Sequence, residues 1–479
     1  MKEYKLFVQR IGLVGITNMA VALSSIILLP IITKSFTTSD YGMWVQVNTV
    51  VSLLSNIATL GLPFTMVRYL SAEKDKKKIQ EGFYSIVGIV FASTSIISLL
   101  LILFSHNIAL ALFNSNVNIV IILSVITFFL GLNTLLLNYF RTFQKMKTYS
   151  ILILIQTYSN LLIVSYLALT GFNITITVLG LLIGYFFTFF VISSIIISDI
   201  GFKIPKFKNL REYLSFGIPT IPNNLSHWIV DSSDRFIIGI MLGSAFVGYY
   251  SPGYTLGNFI VMMVAPFSLL LPALLPKYYE KNNIEEVNKF IKYSLKYFLL
   301  IAIPSAFGLS ILSKPILMIL TTPEIALNGY IITPFVTFGA LLFGIYGIIS
   351  NLIILTKKTK IIGTLWIIAA TLNIILNILF IPYIGIIGAA AATFISYFIV
   401  FIITYNFSIK YFKLAIDFSF IVKSIIASTL MSGIIFIINP NGIINILITI
   451  AISAVIYIGS LLFLKGIKKE EFKFFRKFF

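Results

Sequence analysis

The chain has 479 residues, of which 58% are hydrophobic and only 11% are charged, and its mean hydropathy is +1.01. This composition excludes a soluble globular protein and predicts an all-α polytopic membrane protein. Cysteine is absent from the sequence, which excludes disulfide bonds and thiol chemistry.

Apolar segments follow one another along the whole chain. A helix needs about 20 apolar residues to cross the hydrocarbon core of a bilayer. We predict fourteen membrane-spanning helices, at 11–33, 43–66, 83–104, 117–140, 150–170, 175–198, 214–242, 247–271, 293–313, 329–355, 361–381, 386–406, 418–438 and 443–464. The first segment is too long for a cleavable signal peptide and lacks a small-residue cleavage site, so it is expected to remain as the first span.

The positive charges lie in alternate loops. If the amino terminus is placed inside, 32 of the 35 lysine and arginine residues fall on the inner side, Lys34 and Lys314 fall outside, and Arg235 lies within a span. Because basic residues concentrate in cytoplasmic loops, this predicts a plasma or inner membrane protein with both termini in the cytoplasm. The net charge of +19 is therefore interpreted as a topology signal and a surface for membrane lipids, not for nucleic acid.

Two parts of the chain resemble each other. The turn at 39–44 resembles the turn at 245–250, an offset of 206 residues, and the loops that follow them correspond at nearly the same offset. Six helices are therefore predicted to occur twice, in two lobes related by a pseudo-two-fold axis along the membrane normal. The predicted lobes are residues 1–212 and 213–406, and residues 407–479 add two helices and a basic cytoplasmic tail.

The seventh predicted span contains a cluster of ionisable residues: His227, Asp231, Asp234 and Arg235. On insertion scales each charged residue near the bilayer centre costs about 2.5 to 3.5 kcal/mol, so such residues persist mainly where they face protein or a water-filled path. Their spacing, continued by Asn223, predicts one stripe along the helix. Two prolines before the stripe, at positions 219 and 222, predict a bend.

This stripe has two interpretations. In the structural one, Asp231 and Arg235 form an i, i+4 ion pair that fastens the helix to a neighbour. In the functional one, Arg235 attracts an anionic substrate, and His227, Asp231 and Asp234 form a site whose charge depends on a bound proton or cation.

Several short motifs recur along the chain in a recognisable order. They are Leu29-Pro30, Asp40-Tyr41-Gly42, Gly61-Leu62-Pro63, Arg68-Tyr69-Leu70, Gly217-Ile218-Pro219, Asp234-Arg235-Phe236-Ile237-Ile238-Gly239 with Gly243, Val247-Gly248-Tyr249-Tyr250 and Gly388-Ala389-Ala390-Ala391-Ala392-Thr393. Together they resemble the oligosaccharide-lipid flippases, such as the O-antigen and exopolysaccharide exporters. These flippases belong to the superfamily that also contains the multidrug and toxin extruders and the lipid II flippases.

The resemblance implies a helical bundle with alternating access that carries a polyprenyl-diphosphate-linked oligosaccharide to the outer leaflet for surface polysaccharide assembly. It makes Arg235 and Arg68 candidates for the diphosphate and sugar, with Asn223 and Asn224 beside them. H⁺ or Na⁺ is a candidate coupling ion, and a polysaccharide polymerase is a candidate partner. No cofactor, metal or catalytic activity is predicted.

Three alternatives stay open: a cation-coupled multidrug or toxin extruder, a membrane polysaccharide polymerase or glycosyltransferase, and a membrane scaffold. The enzyme is disfavoured because the longest outer loop, 314–328, offers only Lys314 and Glu324, and because no P-loop or HExxH motif occurs. The buried charge argues against a scaffold.

Overall fold

The computed structural model describes residues 2–412 and 417–466, and the side chains of residues 12–268, 270–272, 274–412 and 417–466. The described residues form helices joined by short loops and contain no strand, which confirms the all-α prediction. The chain divides into two compact units, the first ending at Gly248 and the second beginning at Tyr249. The basic tail predicted at the carboxyl terminus lies outside the described residues from position 467 onward.

Unit 1 contains ten α-helices and the start of an eleventh. They are α1 (Lys2–Ser35), α2 (Thr38–Ala58), α3 (Leu62–Leu70), α4 (Lys76–Leu103), α5 (Ser105–Leu112), α6 (Val117–Thr142), α7 (Met146–Leu169), α8 (Ile174–Ile200), α9 (Leu210–Gly217), α10 (Ile221–Leu242) and α11 (Ser244–Gly257). Polar side chains define several starts: Thr37, Asp75, Asn116 and Asn173 accept hydrogen bonds from first-turn N–H groups of α2, α4, α6 and α8.

Unit 2 contains the rest of α11 and nine further helices. They are α12 (Phe259–Met262), α13 (Ala265–Tyr279), α14 (Ile284–Leu320), α15 (Pro323–Gly329), α16 (Ile332–Leu355), α17 (Thr359–Ile384), α18 (Ile386–Tyr411), α19 (Phe418–Ile438) and α20 (Ile443–Phe463). Asn283, Thr322 and Asp417 cap α14, α15 and α19 in the same way.

The number of membrane spans is 11 to 13 within the described residues. Eleven helices are long and apolar enough to cross a bilayer, and two bent pairs add one span each: α2 with α3, at 43°, and the segment Ser244–Met262 with α13, at 50°. The predicted fourteen spans are therefore not all reproduced. The seventh is the missing one, because the amide, carboxylate, imidazole and guanidinium groups of α10 lower its hydropathy.

The predicted bend in the seventh span is a break between two helices. α9 ends at Gly217, one 3₁₀ turn covers Ile218–Thr220, and α10 begins at Ile221. Pro219 and Pro222 both lie in the first turn of their elements, where the missing N–H has no intrahelical acceptor to lose. The two prolines thus start helices instead of kinking one.

α10 packs inside unit 1, against α2 and α5, although the predicted second lobe begins at residue 213. A division into compact units does not test an internal repeat. The predicted lobes, residues 1–212 and 213–406, therefore stay a prediction.

One contact pattern in unit 1 supports the predicted repeat. A Cβ atom on Gly42 would collide with the carbonyl oxygen of Ser244, and a Cβ atom on Gly248 would collide with the carbonyl oxygen of Thr38. Gly42 and Gly248 are 206 residues apart, as are Thr38 and Ser244. Contacts related by a two-fold axis are reciprocal in this way. The glycines let the first turns of α2 and α11 touch backbone to backbone.

α19 and α20 are fastened to α14 at a proline. Pro304 lies inside α14 and has no N–H, so it cannot donate to the carbonyl of Leu300. The hydroxyl of Tyr457, on α20, donates to that carbonyl oxygen over 3.0 Å and lies 2.8 Å from the hydroxyl of Ser424 on α19. The Leu300 carbonyl, which Pro304 leaves without its usual i+4 donor, thus links α14 to α20 and, through Tyr457, to α19.

Tyr457→Phe is expected to lower the free energy of unfolding by about 1 kcal/mol, because it removes the donor and leaves the Leu300 carbonyl without it. The measurement is the thermal midpoint of the purified protein in detergent. Tyr383→Phe is the matched control, since Tyr383 is 87% exposed on α17. Equal midpoints for the two variants would show that the Tyr457 hydroxyl does not stabilise this junction.

An ion pair lies one turn before this junction. Lys296 Nζ is 3.5 Å from Asp417 Oδ2 and 4.8 Å from the ring centroid of Phe420. Burial by itself raises the pKa of Asp417, but the N–H of Phe420 and the charge of Lys296 outweigh it and hold the pKa below its ordinary value. A carboxyl with a lowered pKa stabilises the fold above its unfolded-state pKa. This stabilisation is therefore present at neutral pH and is lost as the pH falls through the folded-state pKa.

Candidate functional site

α10 carries the predicted ionisable residues and is fixed against α2 at two levels. Gln46 Nε2 donates to the main-chain carbonyl of Arg235 over 2.8 Å, and Trp228 Nε1 donates to Ser52 Oγ over 2.9 Å. Gly239 makes the first contact possible, because a Cβ atom there would collide with the amide of Gln46. These contacts set the rotation of α10 about its axis and hence which of its residues face the interior of unit 1.

Arg235 is held by two aspartates of its own helix. Its backbone N–H donates to Asp234 Oδ1 over 2.7 Å, and its guanidinium Nη1 donates to the main-chain carbonyl of Asp231 over 2.9 Å and lies 3.5 Å from Asp234 Oδ1. The side chain of Asp234 is 0% exposed and that of Arg235 is 13% exposed. Asp234 therefore supplies the carboxylate of a buried ion pair, and Asp231 supplies its main-chain oxygen.

One residue of the predicted stripe is buried, and the others are at least partly exposed. His227, Asp231 and Arg235 are partly exposed and follow one another at intervals of four residues, Asn223 at the start of the helix is exposed, and Asp234 points into the protein. Asn224 is also partly exposed. The partial exposure of His227, Asp231 and Arg235 leaves these polar groups accessible, as a polar path would require.

Arg68, the second candidate cation, lies on a different helix from this stripe. It is exposed on α3, and its neighbour Tyr69 packs on Tyr213 and Phe216 of α9, with ring centroids at 5.4 and 5.8 Å. Arg235 lies fifteen residues beyond the 3₁₀ turn at Ile218–Thr220, or about 22 Å along α10. The structure thus places the two arginines at different levels of unit 1.

Sequence reasoning missed the residues that orient the site. Gln46 is fully buried on α2 and was not among the predicted site residues, and Ser52 and Trp228 were not either. A glutamine inside an apolar span was the available signal for the first of them, since buried amides commonly join transmembrane helices.

Solved structures of other membrane proteins share this fold. The solved structure of the lipid II flippase MurJ in an inward closed conformation matches 94% of this chain and 98% of its own, with a TM-score of 0.77 and 21% identity. A multidrug resistance MATE family transporter of the MOP superfamily in an inward-facing conformation matches 83% of this chain and 97% of its own, with a TM-score of 0.65 and 14% identity. At these identities the likeness shows a shared fold.

The sequence itself identifies the family. Residues 7–276 match the family model described as polysaccharide biosynthesis protein. That match covers more than half of the chain, which therefore belongs to this family, and the resemblance predicted from the motifs is confirmed. Residues 219–379 also match the MatE model.

A curated relative is the probable low-salt glycan biosynthesis flippase Agl15 of Haloferax volcanii. It is 22% identical over 275 residues, which are 57% of this chain and 58% of the relative. The match thus spans little more than half of the relative's length.

Proposed function

We propose that this protein is a flippase that moves polyprenyl-diphosphate-linked oligosaccharide units from the cytoplasmic to the outer leaflet of the cell membrane by alternating access, for surface polysaccharide assembly. We also propose that both termini lie in the cytoplasm, because the basic residues concentrate in the loops on that side. The relatives above are named as flippases and transporters, so transport is proposed in preference to a polymerase or glycosyltransferase activity.

The observation that carries this proposal is the polar stripe of α10 inside a family match that covers α2 to α12 and most of α1 and α13. A flippase must take a polar headgroup past hydrocarbon while the lipid tail stays in the membrane, and this needs a polar groove. The partly exposed His227, Asp231 and Arg235 are proposed to form such a surface, and Gln46 fixes the orientation of the helix that carries them.

Arg235 is proposed to contact the diphosphate, because a guanidinium binds phosphate oxygens through two parallel N–H donors. Its pairing with buried Asp234 restricts the guanidinium to a narrow range of positions. Arg68 is proposed as a separate contact at the level of α9, and Asn223 and Asn224 as sugar contacts on the first turn of α10.

Coupling to a proton or sodium ion through His227, Asp231 or Asp234 is a further part of the proposal. Protonation or cation binding there would change the charge of the stripe and bias one conformation over another. Flipping rates in vesicles are then expected to change when a proton or sodium gradient is imposed. Rates that are equal with and without both gradients would contradict the coupling.

The direct test of the function is deletion of the gene. We expect complete polyprenyl-diphosphate-linked repeat units to accumulate on the cytoplasmic side, as measured by their resistance to an added impermeant glycosidase and by mass spectrometry of extracted lipids. Restoring the gene should return the units to the outer side. Unchanged lipid-linked oligosaccharide in the deletion strain would refute the proposal.

The match to the MatE model favours one alternative, a cation-coupled multidrug extruder. This function predicts that the deletion strain becomes sensitive to cationic drugs while its lipid-linked oligosaccharides stay normal. The same pair of measurements therefore separates the two functions.

A further inference from the structure

A groove of about 360 Å³ runs along unit 1 between α4, α6 and α8. Its lining is largely apolar and includes Val87, Phe91, Leu132, Phe190, Ile197 and Phe202. The groove is much larger than the ~30 Å³ that a water molecule occupies in the liquid, and its walls offer few polar partners. Its shape and chemistry thus suit a hydrocarbon chain.

The predicted topology puts the groove in the cytoplasmic half of the membrane. On α4 it is lined from Phe83 to Phe91, and that helix starts at Lys76 in a basic loop. On α8 it is lined by residues 189–197, close to the end of that helix at Ile200. Because basic loops face the cytoplasm, the groove opens toward lipids of the inner leaflet.

The segment 201–209, which connects α8 to α9, lies across the cytoplasmic end of the groove. The hydroxyl of Tyr84 donates to the carbonyl of Gly201 over 2.7 Å, and the ring of Phe202 packs on that of Tyr84 with centroids 5.4 Å apart. Lys203 Nζ donates to the carbonyl of Lys77 over 3.3 Å. The start of the segment therefore brings Lys203 beside the first turn of α4, and Pro205 and Phe207 lie beside Gly88 further along that helix.

The cytoplasmic rim of the groove carries excess positive charge. Lys203 follows the lining residue Phe202 and reaches the carbonyl of Lys77, and Lys76 is close enough to Asp199, at the end of α8, to act on its carboxylate. Glu81 Oε2 lies 3.6 Å from Lys203 Nζ, and Asp199 pairs with Lys145. The four lysines and two carboxylates leave an excess of two positive charges at this end of the apolar groove.

We propose that this groove binds one acyl chain of an anionic phospholipid of the inner leaflet, with the phosphate among the rim lysines. An apolar groove next to a cationic rim matches the two parts of such a lipid. The bound lipid joins α4, α8 and segment 201–209, and so it stabilises the connection that leads into α9 and α10.

The first test is native mass spectrometry of the full-length protein from nanodiscs of phosphatidylethanolamine and phosphatidylglycerol. We expect one phosphatidylglycerol to stay bound after release into detergent. A Lys76→Gln/Lys77→Gln/Lys203→Gln variant is expected to lower the bound fraction about tenfold or more. The control removes three exposed lysines of unit 2, as Lys281→Gln/Lys357→Gln/Lys360→Gln, and should retain the lipid. Equal retention by both variants would overturn the proposal.

The second test locates the chain. Phosphatidylglycerol with a diazirine in its acyl chain is expected to label peptides containing Phe91 and Phe190, and Ser193→Trp should reduce that labelling by filling the groove. Equal labelling of all lipid-facing helices of unit 1, or recovery of a polyprenyl lipid in place of the phospholipid, would refute the proposed occupant. Both tests use purified protein without transport, so their failure is distinguishable from failure of the proposed flippase function.

Discussion

An Asp234→Asn/Arg235→Gln double variant is expected to reach the membrane at a normal level and to lose export by at least about tenfold. Removing both charges avoids leaving Asp234, which is 0% exposed, as an unpaired buried carboxylate. Breaking a buried ion pair by removing one partner costs on the order of 3 to 5 kcal/mol, whereas removing both is far milder. Asparagine also keeps the side-chain oxygen that accepts from the backbone N–H of residue 235. Export is measured as lipid-linked oligosaccharide accumulating in a complemented deletion strain.

The single variants complete this experiment. Arg235→Gln alone is expected to lower both protein level and export, because Asp234 then lacks its cation. Arg211→Gln, on the exposed surface of α9, is the control and should behave as the wild type. Wild-type export by the double variant would mean that Arg235 serves the ion pair only, and the proposed contact with the diphosphate would be wrong.

Gly42→Ala is expected to destabilise the protein by about 1 to 3 kcal/mol, the usual cost of overpacking. The added Cβ would overlap the main-chain carbonyl of Ser244, and a backbone atom cannot move aside as a flexible side chain does. The first turns of α2 and α11 would have to separate. The measurement is the thermal midpoint in detergent, together with the amount of protein that purifies as a single species.

Gly363→Ala provides a control with the opposite expected sign. Gly363 lies inside α17, and a Cβ atom there would meet nothing within 4 Å. Alanine is favoured over glycine in a helix interior by about 0.5 to 1 kcal/mol, so this variant should be slightly more stable than the wild type. A similar loss of stability in both variants would contradict the assigned close contact of Gly42 with Ser244.

The spans could be predicted closely because hydropathy is a local property. The structure reproduces up to 13 of the predicted fourteen as apolar helices or bent pairs, and the exception is the helix that carries the polar site. A stretch that contains Asp231, Asp234 and Arg235 fails any test based on average hydropathy, since such a test cannot know what these residues contact. The site is thus where a composition rule is least informative.

The break before α10 was only partly predictable. Pro219 and Pro222 indicated a disturbance, but a proline starts a helix as readily as it bends one, and the outcome depends on which residues precede it. Gly217 ends α9 where its backbone lies close to that of Leu60 and Gly61. This long-range contact, which the local sequence does not encode, accompanies the break.

Membrane class, helix content and family follow from the amino-acid sequence alone, because they depend on composition, on the order of apolar segments and on short motifs. The orientation of the site depends on packing. The spacing of Asp231 and Arg235 allowed an i, i+4 pair as one of two interpretations, but it gave no sign that Asp234 would be buried beside Arg235 or that the main-chain oxygen of Asp231 would accept from the guanidinium. The rotation of α10 is set by the close contact of its Gly239 with Gln46 of α2, a residue 193 positions earlier in the chain. Spacing along one helix specifies which residues share a face, but only the neighbouring helix determines which face is buried.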